Sequence, residues 1–257
     1  MGFEDLMRDR SAAQYADFVL PSIGRDDQVL DVGCGPGSIT LGLAQAARHV
    51  TGIDVDDAEF EEARAYAAGH GIDNVELREG SIYDLGVAEG SIDVCTLFAM
   101  LETLDDPLAG LAEVHRVLKH GGVIGASSIE YGGLILQGAD VPPLRRFYEL
   151  RLALWEAQGD VHPARGRELR GLLLAAGFAQ VEASTTYFSY GTEERVRTFG
   201  FGRAADCRDE WFVGGLTERG LADQDEIDTL EQVWLRWAEA PDSFAAFAWG
   251  RATARKP

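Results

Sequence analysis

The chain of 257 residues carries 43 acidic against 23 basic side chains, a formal charge of −20 at pH 7. A field this negative repels nucleic acid and anionic membranes, which argues against a nucleic-acid substrate. No apolar run reaches the roughly 18–20 residues that a spanning helix needs. The charged residues 1–10 also lack the apolar core of a secretory leader, so a cytoplasmic location without a membrane partner is expected.

A helix is expected over residues 5–20, with Tyr15, Phe18 and Val19 on its apolar face and Pro21 at its end. Residues 29–40 then read Val-Leu-Asp-Val-Gly-Cys-Gly-Pro-Gly-Ser-Ile-Thr. Val29, Leu30 and Val32 are strand formers, Asp31 interrupts them, and Gly33, Gly35 and Gly37 follow at alternate positions. From Ser38 onward the composition is helical. A strand, a glycine turn and a helix form half of a nucleotide-binding βαβ unit. Glycine lets backbone approach a bulky ligand, and an acid at the strand end is costly to bury unless it binds something.

Strands are expected near residues 28–33, 49–54, 74–79, 92–98 and 121–128, with helices near 38–47, 57–69 and 107–118. The acidic run Asp-Asp-Ala-Glu at 56–59 suits a helix start, where carboxylates meet the positive end of the dipole. Such alternation implies a parallel sheet with helices on both faces. Beyond it the pattern changes. Pro142 and Pro143 open a helix carrying Phe147, Leu150, Leu154 and Trp155. Residues 166–176 read as a helix closed by Gly177. Residues 178–190 read as a strand, 192–239 as largely helical, and 243–253 as a final strand.

The glycine spacing discriminates between nucleotides. A dinucleotide turn, Gly-x-Gly-x-x-Gly, would place its third glycine at Ser38. The string Asp-Val-Gly-Cys-Gly-Pro-Gly at 31–37 instead resembles motif I of the class I S-adenosylmethionine-dependent methyltransferases. The resemblance continues through His-Val-Thr-Gly-Ile-Asp at 49–54, Glu-Gly-Ser-Ile at 79–82 and Ser-Ile-Asp-Val-Cys-Thr-Leu at 91–97. Residues 111–123 resemble the family's Arg-Val-Leu-Lys-Pro-Gly-Gly stretch, with His120 in place of the proline. The type 11 group, akin to the quinone-biosynthesis methyltransferases, is the nearest. Their N-terminal Tyr-Asp-x-Met-Asn string is missing at residues 14–18, which puts a quinone headgroup in doubt.

This resemblance implies a doubly wound, Rossmann-like α/β fold: a seven-stranded, mainly parallel sheet with an antiparallel last strand. The chain would be a single domain. Residues 1–25 form a helical cap and 26–129 the cofactor-binding core. Residues 130–165 and 192–240 are insertions packing over the sheet's carboxyl edge as lid and substrate chamber. Residues 166–191 and 241–257 close the sheet.

S-adenosylmethionine is the implied cofactor. Gly33, Cys34, Gly35 and Gly37 would lie under its methionine and ribose, and Asp31 would reach its ammonium directly or through water. Asp54, followed by Val55, would bind the ribose hydroxyls, and Ser81 and Ile82 would touch adenine. Phe98, near the end of the fourth strand, would face the methionine tail or sulfonium, or serve as plain core. Methyl transfer is an in-line displacement, and a base is needed only when the nucleophile carries a proton.

Glu102 is the candidate base, because Leu-Glu-Thr-Leu-Asp-Asp-Pro at 101–107 resembles the loop bordering the transferred methyl; the other reading is that it only orients that loop. Tyr131, Glu130 and His162 are candidate substrate contacts, with a surface turn the other reading of His162 and Pro163. Trp155, Phe199, Phe201, Trp211 and Trp234 would line a chamber or fill a core. Cys34, Cys95 and Cys207 are far apart and form no ligand cluster, so no metal is expected. The expected activity is methylation of an apolar small molecule, in secondary or quinone-like metabolism. A non-methylating cyclase or isomerase, or an S-adenosylmethionine-binding module, remains the alternative. The sequence leaves the oligomeric state open.

Overall fold

The computed structural model describes residues 10–159 and 161–257. Seven strands form one sheet of order β3-β2-β1-β4-β5-β7-β6. They are β1 (Gln28–Val32), β2 (His49–Asp54), β3 (Val75–Glu79), β4 (Ile92–Phe98), β5 (Leu118–Gln137), β6 (Ala179–Tyr190) and β7 (Phe244–Arg255). The pairs β1–β2, β1–β4, β2–β3 and β4–β5 are parallel. Strand β7 runs antiparallel. Near its end Gly121 N donates to Lys256 O at 2.8 Å, and Lys256 N donates to Gly122 O at 3.0 Å.

Two compact units divide the described residues. One comprises residues 10–129, Ala164–Thr186 and Trp249–Pro257; the other comprises Glu130–Pro163 and Tyr187–Ala248. In the first, successive strand residues enter different cores. Val29, Val50, Val94 and Val123 join one cluster, while Leu30, Ile53, Cys95 and Ile124 join another. Alternate side chains leave opposite faces of a strand, so this sheet is covered on both.

Helix α1 (Ala12–Tyr15) is far shorter than the helix expected over 5–20, whose residues 5–9 lie outside the described ones. Pro21 stands inside a 3-10 turn, Leu20–Ser22, rather than marking a helix end. Packing explains the break: Val19 is fully buried against Gly125, where an added Cβ would stand 2.6 Å from Val19 Cγ2. Helix α2 (Ser38–Leu43) also stops early. The Asn74 amide donates to Ala44 O at 2.8 Å and Ala47 O at 3.1 Å, satisfying carbonyls beyond the helix end. Helix α3 (Phe60–Gly69) starts after the acidic run, because Asp56 caps Ala58 N at 3.0 Å in a turn of its own. Helix α4 (Pro107–Val117) has the expected signals: Asp106 accepts from Ala109 N, Pro107 opens the helix, and His115 and Arg116 lie in the last turn.

Strand β5 runs well past the expected 121–128, through residues 130–137. Gly133 permits this, since a Cβ there would meet Ala248 Cβ at 2.5 Å. The second unit contains α5 (Val141–Gln158), α7 (Glu193–Asp206), α8 (Glu210–Glu218) and α9 (Gln224–Glu239); α6 (Arg165–Ala175) belongs to the first. Asp223 caps α9 through Glu226 N at 2.8 Å. That helix buries Ile227, Leu230, Val233, Trp234 and Trp237, a spacing of three and four that makes one apolar face. Gly200 lets α7 close on it, because a Cβ there would stand 2.6 Å from Ala238 Cβ.

Candidate functional site

The turn after β1 owes its shape to glycine. Gly33, Gly35 and Gly37 hold φ of 74°, 49° and 75°, the left-handed region that side chains avoid. A Cβ at Gly33 would strike Met100 Sδ at 2.8 Å, whereas one at Gly35 would meet nothing within 4 Å. The turn is fastened to β2. Gly33 N and Cys34 N donate to Ile53 O at 2.8 and 3.1 Å, and Gly35 N donates to Asp54 Oδ2 at 2.7 Å. The acid ending β2 and the glycine turn are therefore one structure.

Asp31 is buried at the end of β1. Its oxygens accept bonds from the Thr40 hydroxyl at 2.7 Å and the Thr96 hydroxyl at 2.8 Å. Burial pushes its carboxyl from 3.8 up to about 6; the two hydroxyls oppose the rise and the Asp54 charge adds to it. A carboxylate held by neutral hydroxyls gains from a nearby cation. Cys34 serves packing: burial pushes its thiol well up, and its Sγ would lie 3.0 Å from a Cβ placed at Gly52. Arg10, Asp31, Gly33, Cys34, Pro36, Ser38, Ile39 and Phe98 line a cleft at this end of the sheet.

Arg10 escaped the sequence reading. Its guanidinium stacks over Tyr15 at 5.1 Å and Trp249 at 5.2 Å. Its Nη1 is buried without a hydrogen-bond partner among the described residues. The only local signal is an arginine five residues before a tyrosine; the placement depends on Trp249, far along the chain.

The other expected contacts are placed unevenly. Val55, beside Asp54, is 67% exposed. Ser81 Oγ accepts from Tyr83 N at 3.2 Å. The Ile82 side chain is core, not cleft: a Cβ at Gly110 would stand 3.0 Å from its Cδ1, so only the Ile82 backbone remains for a ligand. Phe98 combines both readings, lining the cleft while meeting Phe18 edge-on at 6.3 Å.

Glu102 sits in a 3-10 turn, Leu101–Thr103, and is 5% exposed. Its Oε1 accepts from Ile129 N at 3.5 Å, and its Oε2 has no hydrogen-bond partner among the described residues. Burial raises its pKa, with Ser128, Ile129 N–H and Arg10 opposing. Arg165 Nε donates to Leu101 O at 3.2 Å and pins this loop.

Tyr131 and His162 belong to the second unit and are half-buried. Tyr131 N donates to Pro163 O at 3.1 Å, which draws the two candidates together. The Tyr131 ring faces Trp155 at 5.4 Å, Phe247 at 5.8 Å and Tyr148 at 6.0 Å. Trp155, Phe199, Trp211 and Trp234 join the same network of rings. Phe201 does not: it is 37% exposed on α7 beneath the Arg197 guanidinium. Among the described residues no group of His, Cys, Asp and Glu is placed to hold a metal, and no helix is long and apolar enough to cross a membrane.

A sheet of order 3-2-1-4-5-7-6, with a glycine turn after β1 and an acid ending β2, defines the class I S-adenosylmethionine-dependent methyltransferases. Residues 30–125 match the family described as Methyltransferase domain, that of the class I S-adenosylmethionine-dependent methyltransferases. An uncharacterized methyltransferase of Schizosaccharomyces pombe is 27% identical over 246 residues, 90% of this chain and 84% of that one. A ubiquinone biosynthesis O-methyltransferase of Hahella chejuensis is 39% identical over 103 residues, 40% of this chain and 43% of the other. Among solved structures, the YcgJ protein of Bacillus subtilis shares the fold with a TM-score of 0.63 at 20% identity, covering 95% of this chain and 99% of that one.

S-adenosylmethionine is the cofactor, and the cleft fits it on its own chemistry. Buried Asp31 would suit the ammonium of such a ligand, and Arg10, whose Nη1 has no hydrogen-bond partner among the described residues, would suit its carboxylate.

Proposed function

We propose that this methyltransferase acts on an apolar, aromatic small molecule of secondary or quinone-like metabolism. The observation that carries this reading is the interior of the second unit. Tyr131, Phe147, Tyr148, Phe199, Trp234 and Phe247 meet there ring to ring at 5.3 to 6.1 Å within one continuous aromatic network. Aromatic interiors of this kind take planar apolar ligands through area and edge-to-face geometry.

S-adenosylmethionine, when bound, supplies a methyl group already activated on sulfur. The chain's own residues then bind and orient. Asp54 holds the ribose hydroxyls, Asp31 the ammonium and Arg10 the carboxylate. Gly33, Gly35 and Gly37 let backbone close on the ligand. The backbone of Ser81 and Ile82 with Val55 contacts adenine, and Phe98 faces the methionine tail. Orientation of this kind accounts for up to about 7–11 kcal/mol of a displacement barrier. Glu102 is the proposed base: its carboxyl is buried, burial raises its pKa above the ordinary carboxylate value, and its Oε2 is unpartnered among the described residues. Within the second unit, Tyr131 and His162 are the proposed acceptor contacts.

Incubation with methyl-labelled S-adenosylmethionine and an aromatic fraction of a metabolite extract tests the reading. Label is expected in an organic-soluble product, and Glu102→Gln is expected to slow its formation by about 10²-fold or more with cofactor affinity kept. Binding of S-adenosylhomocysteine without any labelled product would reject the proposed acceptor class, and full activity of Glu102→Gln across neutral pH would remove Glu102 as the base.

A further inference from the structure

The aromatic interior of the second unit is not wholly apolar. Arg151 Nη1 and Arg203 Nη1 both bond the single Asp206 Oδ2, at 2.7 and 2.9 Å. Two guanidiniums on one carboxylate leave a net positive charge. Glu231, a further acid of this unit, is paired with Arg208. Arg203 is 9% exposed and lies over the Phe199 ring at 5.5 Å, while Arg151 lies over Trp155 at 4.8 Å. In a chain of formal charge −20, a surplus cation has been placed inside the ring network rather than on the surface.

The same unit holds buried donors without partners. Arg203 Nε, Arg151 Nε, Tyr148 Oη and Trp234 Nε1 are all buried without a hydrogen-bond partner among the described residues. Each of these groups can donate, and burial keeps the Tyr148 proton in place by pushing its phenol well above the usual range. Tyr148 is 4% exposed and meets the Trp234 ring at 6.1 Å, which in turn meets at 5.7 Å the Phe199 ring that Arg203 overlies. Buried donors left unmade are expensive, and four together with a surplus cation lack one thing, an acceptor carrying negative charge.

We propose that Arg203 and Tyr148 bind an anionic oxygen, a carboxylate or a phenolate, carried on the aromatic methyl acceptor. This deepens the proposed function and rests on it for the word acceptor, whereas the anion site itself stands on the second unit alone. Guanidinium and phenol together bind such an oxygen by charge-assisted hydrogen bonds, and the surrounding rings hold its aromatic body.

Titration of the full chain with 2-naphthoate and its neutral isostere 2-naphthamide, followed by tryptophan fluorescence, tests the carboxylate arm. Titration with 4-nitrophenol, whose visible absorbance reports its own ionisation, tests the phenolate arm. At least one anion is expected to bind about tenfold or more tightly than its neutral form, through its charge-assisted bonds. Tyr148→Phe and Arg203→Gln should each weaken that anion several-fold and leave naphthamide unaffected. Tyr148→Phe should melt no lower than the parent, because the hydroxyl it removes is unpartnered; this keeps the test open should Arg203→Gln fail to fold. Equal affinity for anion and neutral form, unchanged anion affinity in Tyr148→Phe, or no binding of either anion at millimolar concentration would each overturn the proposal and leave water as the partner of these donors. Calorimetry with S-adenosylhomocysteine separates the two readings: its loss in the parent would fail the methyl-transfer reading without touching the anion site.

Discussion

Asp54 ties the glycine turn to the end of β2, so its substitution separates ligand binding from loop architecture. Its Oδ2 accepts from Gly35 N at 2.7 Å and its Oδ1 accepts from Asp56 N at 3.2 Å. Alanine removes both acceptors and the charge. Hydrogen bonds to a charged group contribute about 1.5–3 kcal/mol where they are shielded, less where water competes, so the loss of the ribose bonds should cost roughly 1–3 kcal/mol. That corresponds to a rise of about 5- to 150-fold in Kd for S-adenosylhomocysteine, measured by calorimetry at neutral pH. Asp54→Asn keeps one oxygen acceptor and the side-chain shape, and should fall between the two. The Gly35 and Asp56 N–H groups lie where water can replace the carboxylate, so the melting temperature of the free protein should move much less than the affinity. An unchanged Kd in Asp54→Ala would refute the ribose role and leave the carboxylate as a fastener of the turn. A large stability loss matched by an equal affinity loss would point the same way.

The remaining expectations concern charge and space. Asp31 has a folded pKa of about 6 against 3.8 when unperturbed, so its ionised form is disfavoured in the fold by about 3 kcal/mol. That destabilisation is present at neutral pH and is relieved as pH falls through 6 toward 3.8. Urea unfolding at pH 7.5 and 5 should therefore show the parent gaining relative to Asp31→Asn, and parallel behaviour of the two proteins would count against it. A cation favours the ionised form, so affinity for S-adenosylmethionine should fall as pH drops below about 6 in the parent and not in Asp31→Asn. Gly250→Ala would place a Cβ 2.0 Å from Gly166 O, a backbone atom that cannot give way. Its urea midpoint should fall by the equivalent of about 3 kcal/mol or more. Gly171→Ala, within α6 and with nothing within 4 Å of the new Cβ, should instead stabilise by about 0.5–1 kcal/mol, and a loss there would contradict the open space.

Much of the fold was legible because its rules act over a few residues. The five core strands and the helices between them lie where pattern and punctuation place them, with the glycine turn and the Asp106 cap as the firmest marks. The errors fall where distant residues intervene. Asn74 holds the carbonyls of Ala44 and Ala47 where α2 was expected to continue, Val19 wedged against Gly125 ended the N-terminal helix, and Gly133 under Ala248 let β5 run past 128. Ile82 shows the same limit: its position in a loop was readable, but its side chain went to the core against Gly110.

The sequence alone determined the glycine turn, the acid before it and the acid ending β2, and with them the cofactor. Backbone conformation at a left-handed position is decided by the residue that occupies it. Only the tertiary structure decided that Thr96, 65 residues from Asp31, would hold its carboxylate, that Trp249 would steady Arg10 in the cleft, and that Arg203 would lie buried with Tyr148 among aromatic rings. Those encounters are set by which faces pack together, and packing is a property of the whole chain rather than of any short stretch of it.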